Sequence, residues 1–168
     1  IVHGNHHDAW VNGATDPTSG NVVLMETARG LGQLLDQGWR PKRTIFLASW
    51  DGEEWGLLGS TEWAEKHKTE LNANGVAYIN SDSTSAGWLS AGGSHSLQWF
   101  VNELARDISG PRSDGSVFDE LKARQLEQAD SLDEQLQIEN REHFPITALG
   151  SGSDYTVFLD HLTMASLN

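Results

Sequence analysis

Histidine and carboxylate recur in this chain at short spacings. Gly4-Asn5-His6-His7-Asp8 sets an imidazole two residues before a carboxylate, and Thr15-Asp16-Pro17 places another acid just ahead of a proline. Asp51-Gly52-Glu53-Glu54 packs acids into one short stretch, and Asn80-Ser81-Asp82 adds one more. In an extended segment residues i and i+2 point to the same side, so Asp8 can accept the second ring N–H of His6 and aim the other ring nitrogen at a metal. Carboxylates gathered at one place repel one another unless cations neutralise them. A nitrogen donor among oxygen donors suits zinc better than magnesium or calcium. Singly, each residue has a plainer use: Asp16 as a helix cap with Pro17 in the first helical position, Glu53-Glu54 as a solvated acidic turn, Asp82 as a turn former. His3, His7, His67, His95, His143 and His161 read individually as surface or packing residues. A metal centre accounts for the clustered residues together.

Such groups act only if the elements carrying them end at a common place. Apolar, β-rich runs alternate with helical patterns along the chain, which is the signature of parallel strands joined by crossover helices. Ile1-Val2 reads as the end of an opening strand, residues 44–49 as a second strand and residues 76–81 as a third. Residues 18–37 repeat Val22, Val23, Met25, Ala28, Leu31, Leu34 and Leu35 close to the helical period, with Gly38 as a stop. Further helices are expected over residues 60–74, ended by Gly75, and 94–108, with Leu97, Phe100, Val101, Leu104 and Ala105 on one face. The polar stretch that follows, to Glu142, reads as a surface excursion. Leu149-Gly150-Ser151-Gly152-Ser153-Asp154 reads as a tight loop ending in a helix cap. The expected architecture is α/β: a three-layer α/β/α sandwich around a mostly parallel sheet. Strands 44–49 and 76–81 should be central, because both are apolar on nearly every residue. In open sheets of this kind functional groups gather beyond the carboxyl ends of the strands. His6-His7-Asp8, Asp51 to Glu54 and Asp82 all fall there.

Composition narrows the function classes. The 168 residues suit one domain with a single core. The net charge of −13, from 24 acidic and 11 basic residues without a Lys/Arg cluster, argues against a nucleic-acid partner. No apolar run approaches the roughly 20 residues that cross a bilayer, and Ile1-Val2-His3-Gly4 lacks the marks of a signal peptide. The absence of cysteine removes disulfides, thiolate metal sites and cysteine nucleophiles. Both ends read as cuts, so residues 1–168 are expected to form a single partial domain.

The chain resembles the zinc exopeptidases that include glutamate carboxypeptidase II and the transferrin receptor. The resemblance rests on Gly4-Asn5-His6-His7-Asp8-Ala9-Trp10, Thr15-Asp16-Pro17-Thr18-Ser19-Gly20 and Trp39-Arg40-Pro41-Lys42-Arg43-Thr44-Ile45. It continues through Ala48-Ser49-Trp50-Asp51-Gly52-Glu53-Glu54-Trp55-Gly56-Leu57-Leu58-Gly59-Ser60, Tyr78-Ile79-Asn80-Ser81-Asp82-Ser83 and Leu149-Gly150-Ser151-Gly152-Ser153-Asp154. It implies two zinc ions: His6 and Asp82 on one, Glu54 on the other, and Asp16 bridging. Glu53 would be the general base, Asp8 would orient His6, and Gly152 and Ser153 would lie against the substrate. One further histidine of the second zinc would lie beyond this chain, so the fragment itself is expected to be inactive. The implied activity is hydrolysis of terminal peptide bonds, as a carboxypeptidase before an aminopeptidase, with a non-catalytic, receptor-like binding module as the rival from another class. Ser153 stands where the glutamate-preferring members carry Asn, so the resemblance does not by itself imply their acidic preference. The resemblance further implies a peptide substrate, a homodimeric intact protein, and an extracellular, periplasmic or membrane-anchored ectodomain setting.

Overall fold

The computed structural model describes residues 1–168, which divide into two compact units: residues 1–85 with 149–168, and residues 86–148. The single core expected from length is replaced by two hydrophobic clusters, one in each unit.

The first unit holds a parallel sheet of β1 (Val2–His6), β2 (Phe46–Trp50), β3 (Ala77–Asn80) and β4 (Ala165–Leu167), in the order β2-β1-β3-β4, with helices on both faces. The α/β sandwich is therefore as the sequence implies. β1 is buried along its whole length. Its register sets His6 opposite Trp50 and Gly4 opposite Asn80. The loops that leave β1, β2 and β3 with His7, Asp51 and Ser81 consequently start at one edge of the sheet.

β3 is central as expected, but β2 is an edge strand, paired to β1 alone. Phe46 and Leu47 on it are 44 % and 39 % exposed. An unbroken apolar run predicts helices over both faces, yet it carries no information about how many strands flank it, and here only one does. β4, three residues long, is too short to stand out in sequence.

α1 (Thr18–Asp36) follows the expected span and packs on β1 and β2. Its approach to the sheet depends on Gly20, where a Cβ would overlap the carbonyl of Ser81 and lie 2.7 Å from the Asn5 amide nitrogen. The helix expected over 60–74 is two helices, α2 (Leu58–Lys66) and α3 (Lys68–Asn74), which meet at His67. A wide helical turn, Val157–His161, packs against α2 and β4 and brings Phe158 into the core. Phe158 is fully buried and stacks on Tyr78 at 4.0 Å between ring centroids and 7° between planes. Trp50 lies 6.2 Å from Phe158 and 5.3 Å from Trp63, closing an aromatic cluster beneath the sheet edge.

In the second unit α4 (Gln98–Asp107) falls within the span expected to be helical, and the expected surface excursion after it is helical as well: α4 packs against α5 (Val117–Gln128), and α5 against α6 (Leu132–Glu139). Ser116 and Asp119 form a reciprocal capping box that fixes the start of α5. Ala105, Phe118, Ile138 and Phe144 form its core. The high Asp, Glu and Gln content hid an amphipathic pattern with few apolar positions per turn. No helix in the chain is long and apolar enough to cross a membrane.

Candidate metal centre

His6 closes β1 with its side chain fully buried, and three carboxylates from three different loops surround its Nε2. Asp16 Oδ1 lies at 3.1 Å, Asp82 Oδ1 at 3.4 Å and Glu53 Oε2 at 3.9 Å. The other ring nitrogen, Nδ1, is 3.0 Å from the backbone carbonyl of Asp8 and 3.5 Å from its Oδ1. The two-residue spacing does orient the ring, but the nearer partner is the main chain rather than the expected carboxylate.

The Asp8 carboxylate instead accepts the backbone N–H groups of Glu53, at 3.0 Å, and Glu54, at 3.2 Å. Gly52 makes this possible: its φ of 71° turns the chain sharply after Asp51, so that two successive N–H groups face Asp8. Asp8 thus ties the loop after β2 to the loop after β1.

Asp16 is not a helix cap. α1 begins after Pro17 without a side-chain cap, and the Asp16 carboxylate turns toward His6. Glu54 lines the same cleft as Asp16, Glu53, Asp82, Ser151 and Gly152, with its Oε1 taking the Trp10 N–H at 3.2 Å. The tightest set of donor atoms, all within 4.8 Å of one another, comes from His6, Glu53 and Asp82. Above them the exposed rings of Trp10 and Trp55 meet at 4.8 Å.

The charges answer one another. Burial works against a charged His6, but the hydrogen bond to Asp82 and the negative charges of Asp82, Glu53 and Asp154 raise its pKa to about 9. Burial pushes Glu53 up to about 7, with the charges of Asp154, Asp82 and Glu54 adding to the effect and His6 opposing it. Burial, then the charge of Asp82, also raises Asp16. Asp82 goes the other way: burial would raise it, but hydrogen bonds from His6 and Ser153 hold it below the usual carboxylate range. Asp8 is likewise held low against burial by the two backbone N–H groups. A cation placed among these groups would neutralise the carboxylates and take the imidazole nitrogen that a proton otherwise holds. One buried imidazole with several oxygen donors is a donor set that fits zinc.

Two residues occupy places the sequence did not suggest. Asp154 was expected to cap a helix, and helical residues do begin directly after it at Tyr155, but its carboxylate takes no backbone N–H there. Asp154 is 1 % exposed and neither carboxylate oxygen accepts a hydrogen bond of ordinary geometry. Burial lifts it to about 6, only partly offset by the Ser60 hydroxyl and the charge of His6. Ser153, expected against substrate, is 2 % exposed and gives its hydroxyl proton to Asp82. Gly152 stays at the cleft, with its N–H on the Tyr155 hydroxyl at 3.2 Å. Asp is so common as a helix cap that nothing in the sequence separates the two uses of Asp154.

The chain is similar to known peptidases. The chain is 39 % identical, along its full length, to "Aminopeptidase NAALADL1" of Mus musculus, covering 22 % of that protein. It is 42 % identical over 70 % of its length to "Probable glutamate carboxypeptidase VP8" of Zea mays, covering 16 % of it. It is 37 % identical over 96 % of its length to "Probable glutamate carboxypeptidase LAMP1" of Arabidopsis thaliana, covering 22 %. The chain therefore spans about a fifth of the length of these relatives. The model of peptidase family M28 matches residues 1–165, and the chain belongs to that family.

Proposed function

We propose that this chain carries the metal-binding part of a two-zinc exopeptidase that hydrolyses terminal peptide bonds, as a carboxypeptidase. The observation that supports the reading best is the convergence of Asp16, Glu53 and Asp82 on the buried Nε2 of His6. His6 and Asp82 would hold one zinc and Glu54 the other, with Asp16 contributing to both. The family resemblance implies one further histidine for the second zinc, from outside these residues. When bound, zinc supplies a Lewis acid that lowers the pKa of water and polarises a carbonyl.

The residues supply the rest. Glu53, raised to about 7, is near the pH at which a carboxylate can take a proton from water and return it to a leaving amine. Asp8 fixes the Glu53 and Glu54 main chain, so neighbouring acids keep different directions. The cleft walls at Ser151 and Gly152 border the space a peptide would enter.

Glu53→Gln in the full-length protein tests the assignment. The expected result is a fall in kcat of at least about a hundredfold, the lower end for losing a general base, with zinc content unchanged. Activity near the parent level would overturn it. The printed names of the relatives include both an aminopeptidase and carboxypeptidases. Dipeptides blocked at the amino or the carboxyl end distinguish the two: cleavage of the N-blocked substrate alone is the expected outcome.

A further inference from the structure

A single hydrogen-bonded chain runs through the interior of the first unit and ends on Asp82. Trp50 Nε1 lies 3.0 Å from the Tyr78 hydroxyl, which lies 3.0 Å from Asn80 Oδ1. Asn80 Nδ2 lies 2.9 Å from Ser153 Oγ, and Ser153 Oγ bonds Asp82 Oδ2. Trp50, Tyr78, Asn80 and Ser153 are all buried. They lead to the Asp82 carboxylate, with one branch from Asn80 to Asn168.

The direction of the chain is forced. An indole N–H can only donate, so the Tyr78 oxygen accepts from Trp50 and its own proton goes to Asn80 Oδ1. The Asn80 amide must then present its NH₂ to Ser153, and its other hydrogen goes to Asn168 Oδ1 at 2.9 Å. Ser153 accepts from Asn80 and has one proton to give, and Asp82 receives it. Aligned donors of this kind polarise one another, and in a buried setting each bond strengthens the next.

The backbone is shaped around the chain. At Gly4, on β1 between Trp50 and Tyr78, a Cβ would lie 2.6 Å from both Trp50 Nε1 and the Tyr78 hydroxyl. Glycine there leaves room for the Trp50 to Tyr78 bond. The result at Asp82 is a division of labour between its oxygens. Oδ2 is held by buried Ser153, while Oδ1 faces His6 Nε2 at 3.4 Å and takes the exposed Ser83 hydroxyl at 3.2 Å.

We propose that Ser153 is a positioning residue for Asp82: the chain from Trp50 occupies Oδ2 and so leaves Oδ1 as the oxygen offered to a metal ion. The proposal rests on the metal-centre reading above. It replaces a substrate contact with an inward role, since Ser153 is 2 % exposed and its one hydroxyl proton is committed to Asp82. Losing a partner behind a metal-ligating group commonly lowers metal affinity by about 10- to 100-fold.

The test is zinc affinity of the full-length protein, read by competition with a chelator, for Ser153→Ala, Ser153→Thr, Tyr78→Phe and Asp82→Asn. Ser153→Ala should weaken zinc binding by about 10-fold or more, and Ser153→Thr, which keeps the hydroxyl, should restore it to within about threefold. Tyr78→Phe breaks the chain further back with little change of shape, and should shift affinity in the same direction by a smaller factor. If Ser153→Ala does not fold, Tyr78→Phe carries the test, and unchanged zinc affinity in it refutes the chain. Unchanged affinity in Ser153→Ala with an altered KM would return Ser153 to the substrate and overturn the proposal. Asp82→Asn separates the levels: if it leaves zinc binding intact, the metal-centre reading itself fails. If it abolishes binding while Ser153→Ala does not affect it, only the positioning role fails.

Discussion

Asp154→Asn gives the sharpest view of what the buried charges do. Asp154 is 1 % exposed, neither oxygen accepts a hydrogen bond of ordinary geometry, and burial raises its pKa to about 6 against an ordinary 3.8. Its folded-state pKa is raised, so ionisation opposes folding: the penalty is complete above about 6 and absent below the unfolded value. Roughly two units of difference, at 1.36 kcal/mol each, make the penalty about 3 kcal/mol at pH 7.5 and about 1 kcal/mol at pH 4.5. Asparagine removes the charge and keeps the shape. Whatever the amide loses in packing is the same at both pH values, so the difference between the two measurements isolates the charge. Urea denaturation of the metal-free chain should show the stability of Asp154→Asn relative to the parent rising by about 2 kcal/mol from pH 4.5 to 7.5. An identical offset at both pH values would mean that Asp154 is not a strained buried anion. Zinc binding should respond with the opposite sign, because a cation gains from the negative charge that the fold tolerates poorly.

Phe158→Ala removes a fully buried ring stacked on Tyr78, and should cost about 3–5 kcal/mol in denaturant unfolding, whereas a cost under about 1 kcal/mol would show that the aromatic cluster does not hold the unit together. His6 has a raised folded-state pKa, about 9, so in the metal-free protein its stabilisation is complete below about 6.5 and is lost as pH rises through 9. His6→Gln should accordingly destabilise the metal-free protein more at pH 6 than at pH 10, and a pH-independent effect would contradict the surrounding carboxylates. Gly20→Ala forces a methyl into the Ser81 carbonyl, so α1 must move off the sheet; a marked loss of thermal stability is expected, and no loss would refute the close approach.

Much of this arrangement was legible because chemistry and periodicity coincided. The strand-end positions of His6, Asp82 and the 51–54 loop followed from parallel α/β logic, and the structure brings His6, Asp16, Glu53 and Asp82 together. What was hidden depended on partners far away in the sequence. Strand order is one case: Phe46 and Leu47 are apolar whether their strand is central or, as here, at an edge. Asp154 is another, since the groups that act on its buried carboxylate, Ser60, His6 and Asp82, lie far earlier in the chain. The direction of the Ser153 hydroxyl is set by Asn80 and Asp82, about seventy residues earlier. Two helices of the second unit, α5 and α6, escaped notice because polar residues outnumber apolar ones in them, and only a few positions, Phe118 and Ile138 among them, face a core.

The central claim is that these residues belong to a two-zinc peptidase, and the most direct measurement pairs metal count with activity in the full-length protein. About two zinc ions per chain are expected, with peptidase activity lost on chelation, restored by zinc, and absent from Asp16→Asn together with part of the metal. Peptide hydrolysis that persists undiminished in protein stripped of metal, or a full-length protein that binds no zinc, would contradict the account.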